Sequence, residues 1–179
     1  MGPHRISRPG AEYLRNRRIA IASRETPSVE FLRVKPVDLA LNQALGLREA
    51  PAGAAHLLEM PFDAIHRNHL GTAHAVAQFG LAEAASAECL LRGFPGLSES
   101  VIPVMREVRV KYRQPGRGPL RAFAEISAES RAGLPAALAQ SGRAFADVEV
   151  TLKDEADATT FHGTFTWFIT RRDRVAPTP

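Results

Sequence analysis

Cysteine occurs once in the 179 residues, at Cys89. A single thiol excludes an intramolecular disulfide and a cysteine-rich zinc site, and makes a reducing, cytoplasmic compartment the expectation. No run of 18 apolar residues occurs, which excludes a transmembrane helix. The first 24 residues lack the apolar stretch of a secretory signal. Acids are also scarce at this end. Residues 1–24 carry six arginines (Arg5, Arg8, Arg15, Arg17, Arg18, Arg24) against Glu12 alone, a net +5. The remaining residues hold 17 bases and 18 acids, so the body is nearly neutral and the pI near 9.8 belongs to an arm. Tyr13 is the one aromatic side chain in 1–24. The arm therefore lacks the interleaved bases and aromatics of a nucleic-acid binder, and nucleic acid is not the expected partner.

Apolar residues at 45% and charged residues at 23% are ordinary for a globular chain with a real core. The expected organisation is a basic arm over 1–27, one domain over 28–172 and a short tail over 173–179. Helical spacing over Ser28–Leu47 predicts a leading helix, kinked by Pro36 and stopped at Gly46. His56–Ile65 reads as a strand, and 66–72 as a polar loop ending in glycine. Ala73–Leu91 reads as a long helix. Beyond it, strands are expected over Val101–Gln114, Leu120–Ser130, Ala144–Leu152 and Thr159–Thr170, with a short helix over Leu134–Gln140. The connections are too short for parallel crossovers. The fold class is therefore α+β, a long helix packed on a mostly antiparallel sheet.

The long helix is apolar nearly all round, the pattern of a buried helix. Its two charged residues before the last turn are Glu83 and Glu88. Glu88 has Arg92 at i+4 and reads as a structural pair. Glu83 has no such partner in sequence. An unpaired carboxylate is costly to bury, and burial raises its pKa toward the range useful to a general base. Asn68, Gly71 and His74 precede the helix as N-x-x-G-x-x-H. Free amides at the helix start suit a polarised carbonyl, so amides, Asn68 and Glu83 together suit thioester hydrolysis. His74 and Glu83 are nine residues apart, half a turn out of phase. They converge only if His74 lies in the approach turn or if a second subunit completes the site.

The run from Asn68 to Val76, followed by Leu81-Ala82-Glu83-Ala84, resembles the hotdog-fold acyl-CoA thioesterases of the phenylacetate-pathway (PaaI-like) type. Their pattern is N-x-x-G-x-x-H-G-G with L-A-D nine residues after the histidine. Tyr112, Pro115 and Gly118 are similar to that family's Y-x-x-P-x-x-G element. The likeness covers about 56–170, and the two extra helices look like the uncharacterised DUF4442 branch. Ala75-Val76 stand where the family has Gly-Gly. Glu83 replaces the usual aspartate, as in a related hydroxybenzoyl-CoA thioesterase branch. Met105 falls near the helper Ser/Thr position.

The resemblance implies a homodimer with active sites at its interface, able to pair into tetramers. It implies an acyl-CoA substrate, no separate cofactor and no metal. Glu83 would be general base or nucleophile, with Asn68 and His74 as its catalytic companions. Gly71, Thr72, Ala75 and Gln78 would bind substrate, the Ala75 amide helping to form the oxyanion hole. Arg113 and Arg117 would face the CoA phosphates.

Three other readings stay open. A non-catalytic acyl-CoA binder fits the departures from the motif. A hydroxyacyl-thioester dehydratase fits His69, which lies 14 residues before Glu83. A metal site could use His66, His69, His74 and Glu83. His162 is expected at the surface, Trp167 in the core, His56 in solvent, and Cys89 in packing.

Overall fold

A computed structural model describes residues 35–96 and 99–174; the basic arm lies outside the described residues. Six antiparallel strands form one sheet in the order β1-β2-β4-β5-β6-β3. They are β1 (Arg48–Glu49), β2 (Leu58–Met60), β3 (Val101–Tyr112), β4 (Leu120–Ile126), β5 (Arg143–Lys153) and β6 (Thr159–Arg171). A 19-residue helix, α2 (Ala75–Gly93), crosses one face against β2, β4, β5 and β6. Two shorter helices, α1 (Ala40–Ala44) and α3 (Ala128–Ser141), flank it. The expected α+β class is the one observed.

The period-2 pattern sorts the central strands cleanly. Ala144, Ala146, Val148, Val150 and Leu152 of β5 are buried, as are Phe161, Phe165, Trp167 and Ile169 of β6. On β3 the register against β6 slips between Met105 and Glu107, leaving Arg106 in a bulge. The extra residue flips the parity. Met105 opposite Trp167 and Val108 opposite Phe165 therefore both pack on the core, while Val104 is exposed. Gly163 faces Val110 across this pair; a Cβ there would lie 2.9 Å from the Arg109 carbonyl oxygen.

Small side chains let α2 lie close to the sheet. Ala77, Leu81, Ala82, Ala84 and Ala85 are all buried. The Trp167 indole N–H donates to the Ser86 hydroxyl (3.2 Å), which itself donates to the Glu83 carbonyl oxygen (2.7 Å). Glu88 is buried and accepts from Arg92 Nε at 2.5 Å. Burial holds the Cys89 thiol up in pKa, so it stays a packing group. Trp167 is in the core as expected; His162 is half-buried beside the Thr151 hydroxyl.

Several boundaries differ from expectation. Within the described part of the leading helix, a 3-10 turn over Pro36–Asp38 and the five residues of α1 replace a continuous helix. Leu39 between them is extended, which breaks the helical phase, and Gly46 at φ +61° ends it. The strand expected over His56–Ile65 shrinks to β2, because Pro61 has no N–H to give the ladder. His56 is not solvated: Nε2 lies 2.6 Å from Glu59, and its ring stands against Phe123. The helix expected over 134–140 is longer. Ser127 caps it at the Ser130 N–H, Leu134 and Leu138 bury against the core, and Gly142 at φ +71° closes it. These contacts carry it through Gly133 and Pro135. Two-residue β1 is too short for its sequence to announce it.

Leu81 sits at the contact between helix and sheet with no exposed surface. Leu81→Ala is expected to lower the unfolding free energy by about 2–5 kcal/mol. Urea denaturation checks this; a shift below about 1 kcal/mol would show that α2 is not packed as described.

Candidate active site

The approach loop is built around Asn68. Its side-chain oxygen accepts from the N–H of Leu70 (2.9 Å) and of Thr72 (3.1 Å), and its amide nitrogen donates to the Thr72 hydroxyl (2.9 Å). The Asn68 N–H donates to the Thr72 carbonyl (2.8 Å), and Gly71, at φ +71°, donates back to Asn68 (3.0 Å). Asn68 and Thr72 thus fix the loop's shape, and one Asn68 amide hydrogen is left to spare. His74 is the N-cap of α2, extended in backbone, with Nδ1 accepting from the Val76 N–H at 3.1 Å. It lies in the approach turn, yet the turns of regular helix between it and Glu83 still keep the two apart along the axis of α2. The Ala75 N–H makes no hydrogen bond to the described residues.

The turn after β3 docks against this loop. The Tyr112 hydroxyl donates to the Ala75 carbonyl (3.1 Å), and the Ala73 N–H donates to the Gly116 carbonyl (3.0 Å). Arg113 and Arg117, on the same turn and both exposed, are thereby carried to the N-terminal end of α2. Arg121 is committed elsewhere, to the Asp154 carbonyl at 3.0 Å. Gln78 is not brought to the same place. It is 4% exposed and lies about 140° round the helix from Glu83. Its nitrogen donates to the Ala73 carbonyl, and its oxygen has no partner among the described residues.

Glu83 occupies the one side of α2 that the sheet leaves uncovered. At ~100° per residue, Val76, Phe79, Gly80, Glu83 and Ala87 share this strip. All are exposed or half-buried, while the rest of the helix body is buried. Phe79 leans on Phe165, with ring centroids 5.9 Å apart, so β6 bounds the strip on one side. Leu45 bounds the other, packed on Gly80. The Glu83 carboxylate has no hydrogen bond or ion pair among the described residues, and desolvation alone raises its pKa.

His66, which the sequence offered as a metal ligand, is used structurally. It is 1% exposed. Nδ1 accepts from the Asp63 N–H (2.9 Å), so Nε2 carries the proton and donates to the Leu45 carbonyl (2.9 Å). Its own carbonyl accepts from the His74 N–H (2.7 Å). His69 is exposed on the loop. Among the described residues no three potential ligands cluster as a metal site would need, and no helix is long and apolar enough to cross a membrane. An open depression of about 530 Å³ lies between Arg48, Met60, Pro119, Arg121 and Glu155, and no residue of α2 lines it. Leu45 and Phe79 were not singled out for the site from the sequence, and His66 was offered only as a metal ligand. Gly80 was the readable signal: glycine inside a helix costs about 1 kcal/mol against alanine, so a neighbour is pressed against it.

Residues 50–169 match the family described as a domain of unknown function, DUF4442. No curated protein matches the chain. Among solved structures, a Pseudomonas aeruginosa protein of unknown function named a probable thioesterase (PA5026) is 27% identical. It matches over 80% of this chain and 95% of its own, with a TM-score of 0.66. BH2602 of Bacillus halodurans, solved with CoA, is 19% identical over 78% of this chain and 89% of its own (TM-score 0.57). A Staphylococcus aureus thioesterase, SAV0944, is 16% identical over 74% and 99% (TM-score 0.57). It has been solved with a glutamine replaced and with a glutamate replaced, 15 residues apart.

An unpaired carboxylate with a raised pKa opposes folding once it ionises. Its contribution is favourable below the unfolded-state value and is lost as pH rises through the folded-state value. Glu83→Gln is therefore expected to melt at a higher temperature than the wild type near neutral pH. The gap should close as pH falls toward ~4, near the ordinary glutamate pKa. A lower melting temperature for the variant at neutral pH would mean that the carboxylate has a stabilising partner.

Proposed function

The chain belongs to the DUF4442 family and has a hotdog fold, and on that footing we propose that it is an acyl-CoA thioesterase. The observation that carries this reading is Glu83, a carboxylate of raised pKa with no partner among the described residues, on the uncovered strip of a largely apolar helix. In its ionised form Glu83 takes a proton from water as the water oxygen attacks the thioester carbonyl; in the nucleophilic variant it attacks that carbon itself, CoA leaves, and water then cleaves the resulting Glu83–acyl anhydride to regenerate the carboxylate. The oxyanion then draws on the Ala75 N–H and the spare Asn68 amide hydrogen. The C–S bond breaks, the CoA sulfur takes up a proton, and the free acid remains. Arg113 and Arg117 supply positive charge for the CoA phosphates.

One chain does not bring these groups together. Ala75 and Glu83 are eight residues apart, about 12 Å along the helix axis. That is too far for both to act on one carbonyl. The proposed working unit is therefore a homodimer in which Glu83 of one copy meets the approach loop of the other. Two features support it. β3 pairs only with β6 among the described strands, leaving an edge of 12 residues free to pair. Leu70 and Val76, beside the loop, are 73% and 70% exposed. The 15-residue separation of the two replaced residues in the Staphylococcus aureus thioesterase equals that between Asn68 and Glu83.

Release of free CoA from a panel of acyl-CoAs tests the reaction. Glu83→Ala is expected to lower kcat/KM by roughly 10²–10⁴-fold. The wild-type rate should fall on acidification with a midpoint above the ordinary glutamate range. Mixing Glu83→Ala with Asn68→Ala and allowing subunits to exchange should restore activity, because each mixed dimer regains one complete site. Turnover without such rescue would place the whole site in one chain. CoA binding without any turnover would identify a binder instead.

A further inference from the structure

Leu45 stands ahead of residue 50, where the match to the family begins, yet it forms a wall of the strip that carries Glu83. Its Cδ1 lies 2.7 Å from the point that a Cβ on Gly80 would occupy. Gly80 is one turn before Glu83 and about 60° round the axis from it, while Phe79 is about 40° round on the opposite side. Glu83 therefore looks out of a slot with Phe79, backed by the buried Phe165, on one flank and Leu45 on the other. Among the strip's side chains, Glu83 alone is polar; Val76, Phe79 and Ala87 are not.

The wall is fixed in place. The Leu45 N–H donates to the Leu41 carbonyl (3.0 Å), and its carbonyl accepts from His66 Nε2 (2.9 Å). Asn42, buried, donates to the Pro36 carbonyl (2.8 Å) and its own carbonyl accepts from the Leu47 N–H (3.0 Å). Leu47 is itself in the core. His66 holds Leu45 through its ring and the N-cap of α2 through its backbone. One buried imidazole thus ties the wall to the approach loop.

We infer that Leu45 is a specificity-determining residue: it closes one side of the acyl channel beside Glu83 and so limits the bulk of the acyl group, with His66 as its positioning residue. This rests on the acyl-CoA reading above. A thioester carbonyl placed at Glu83 puts the first carbons of its acyl group between these flanks. Trimming Leu45 opens the slot. Adding a methyl at Gly80 displaces Leu45 Cδ1 from its seat and adds bulk on that side of the strip, which narrows it. Since one methylene more or less in such a pocket changes discrimination by roughly 10–200-fold, either change should be readable.

The test compares straight-chain and branched or aryl acyl groups in two ways: kcat/KM for the acyl-CoAs, and calorimetric Kd for their non-hydrolysable thioether analogues. Leu45→Ala is expected to raise the ratio of bulky to slim acyl groups about tenfold or more in both readouts, and Gly80→Ala to lower it. His66→Asn keeps an acceptor for the Asp63 N–H, but its shorter side chain leaves the amide N–H short of the Leu45 carbonyl that Nε2 reaches, and should blunt the wild-type discrimination. Circular dichroism confirms that each variant is folded; if one is not, the remaining variants read the same ratio. Ratios unchanged in every folded variant would overturn the assignment of Leu45 while leaving the thioesterase reading intact. Binding of the analogues without turnover would remove only the enzymatic reading, and the Kd ratios would still decide the wall. A wild type that binds no analogue and hydrolyses no acyl-CoA would remove both.

Discussion

Ala77, Leu81, Ala84 and Ala85 bring α2 against the sheet closely enough that the helix is buried on all sides but one. This contact sets the terms for the rest of the molecule. It buries the apolar faces of β4, β5 and β6, and it aims Ser86 at the Trp167 indole. It also leaves a single uncovered strip, and therefore a single place on the helix where a carboxylate can remain partly hydrated. A bulkier helix would stand off from the sheet and lose that asymmetry. The position of Glu83 is thus a consequence of alanines on the opposite side of the helix.

Glu83 also illustrates a conflict between stability and chemistry. Removed from water without a counter-charge, it costs folding energy that a neutral side chain would not. Glu88, five residues on, shows the ordinary solution: buried, and bonded to Arg92. The same helix therefore carries one carboxylate with a partner and one that has none among the described residues. Unpaired, raised-pKa groups in a cleft mark functional positions more often than chance placement would.

How much of this was legible in the sequence follows the range of the interactions involved. β5 and β6 were readable because their alternation is local and unbroken. Glu83, Asn68 and His74 stood out as candidates because an isolated charge in an apolar helix and a polar loop before it are visible as strings. The bulge at Arg106 was not, since the parity shift on β3 shows only against its partner strand. α3 outran its expected length because the alternation of β4 reads on in the sequence to Ser130 and Gly133 looks like a breaker until Leu134 and Leu138 are seen to be buried. Leu45 was missed for the site, and His66 was read only as a metal ligand, because their roles depend on contacts 35 and 21 residues away, with Gly80 and Leu45. Gln78 pointed away from Glu83 for a reason that helical phase already contained.

The strand order has a bearing on how the chain is made. β4, β5 and β6 follow one another and can pair as each is completed, but β3 precedes all three and among the described strands pairs only with β6. Its first residue, Val101, meets Arg171, some 70 residues later. During synthesis β3 therefore waits, complete and unpaired, until nearly the whole domain has emerged, when edge-to-edge association with other chains is the main hazard. Arg106, Glu107, Arg109 and Lys111 place four charges in this strand. Such charges act as gatekeepers against that association. They keep the strand soluble through the interval in which it has no native partner.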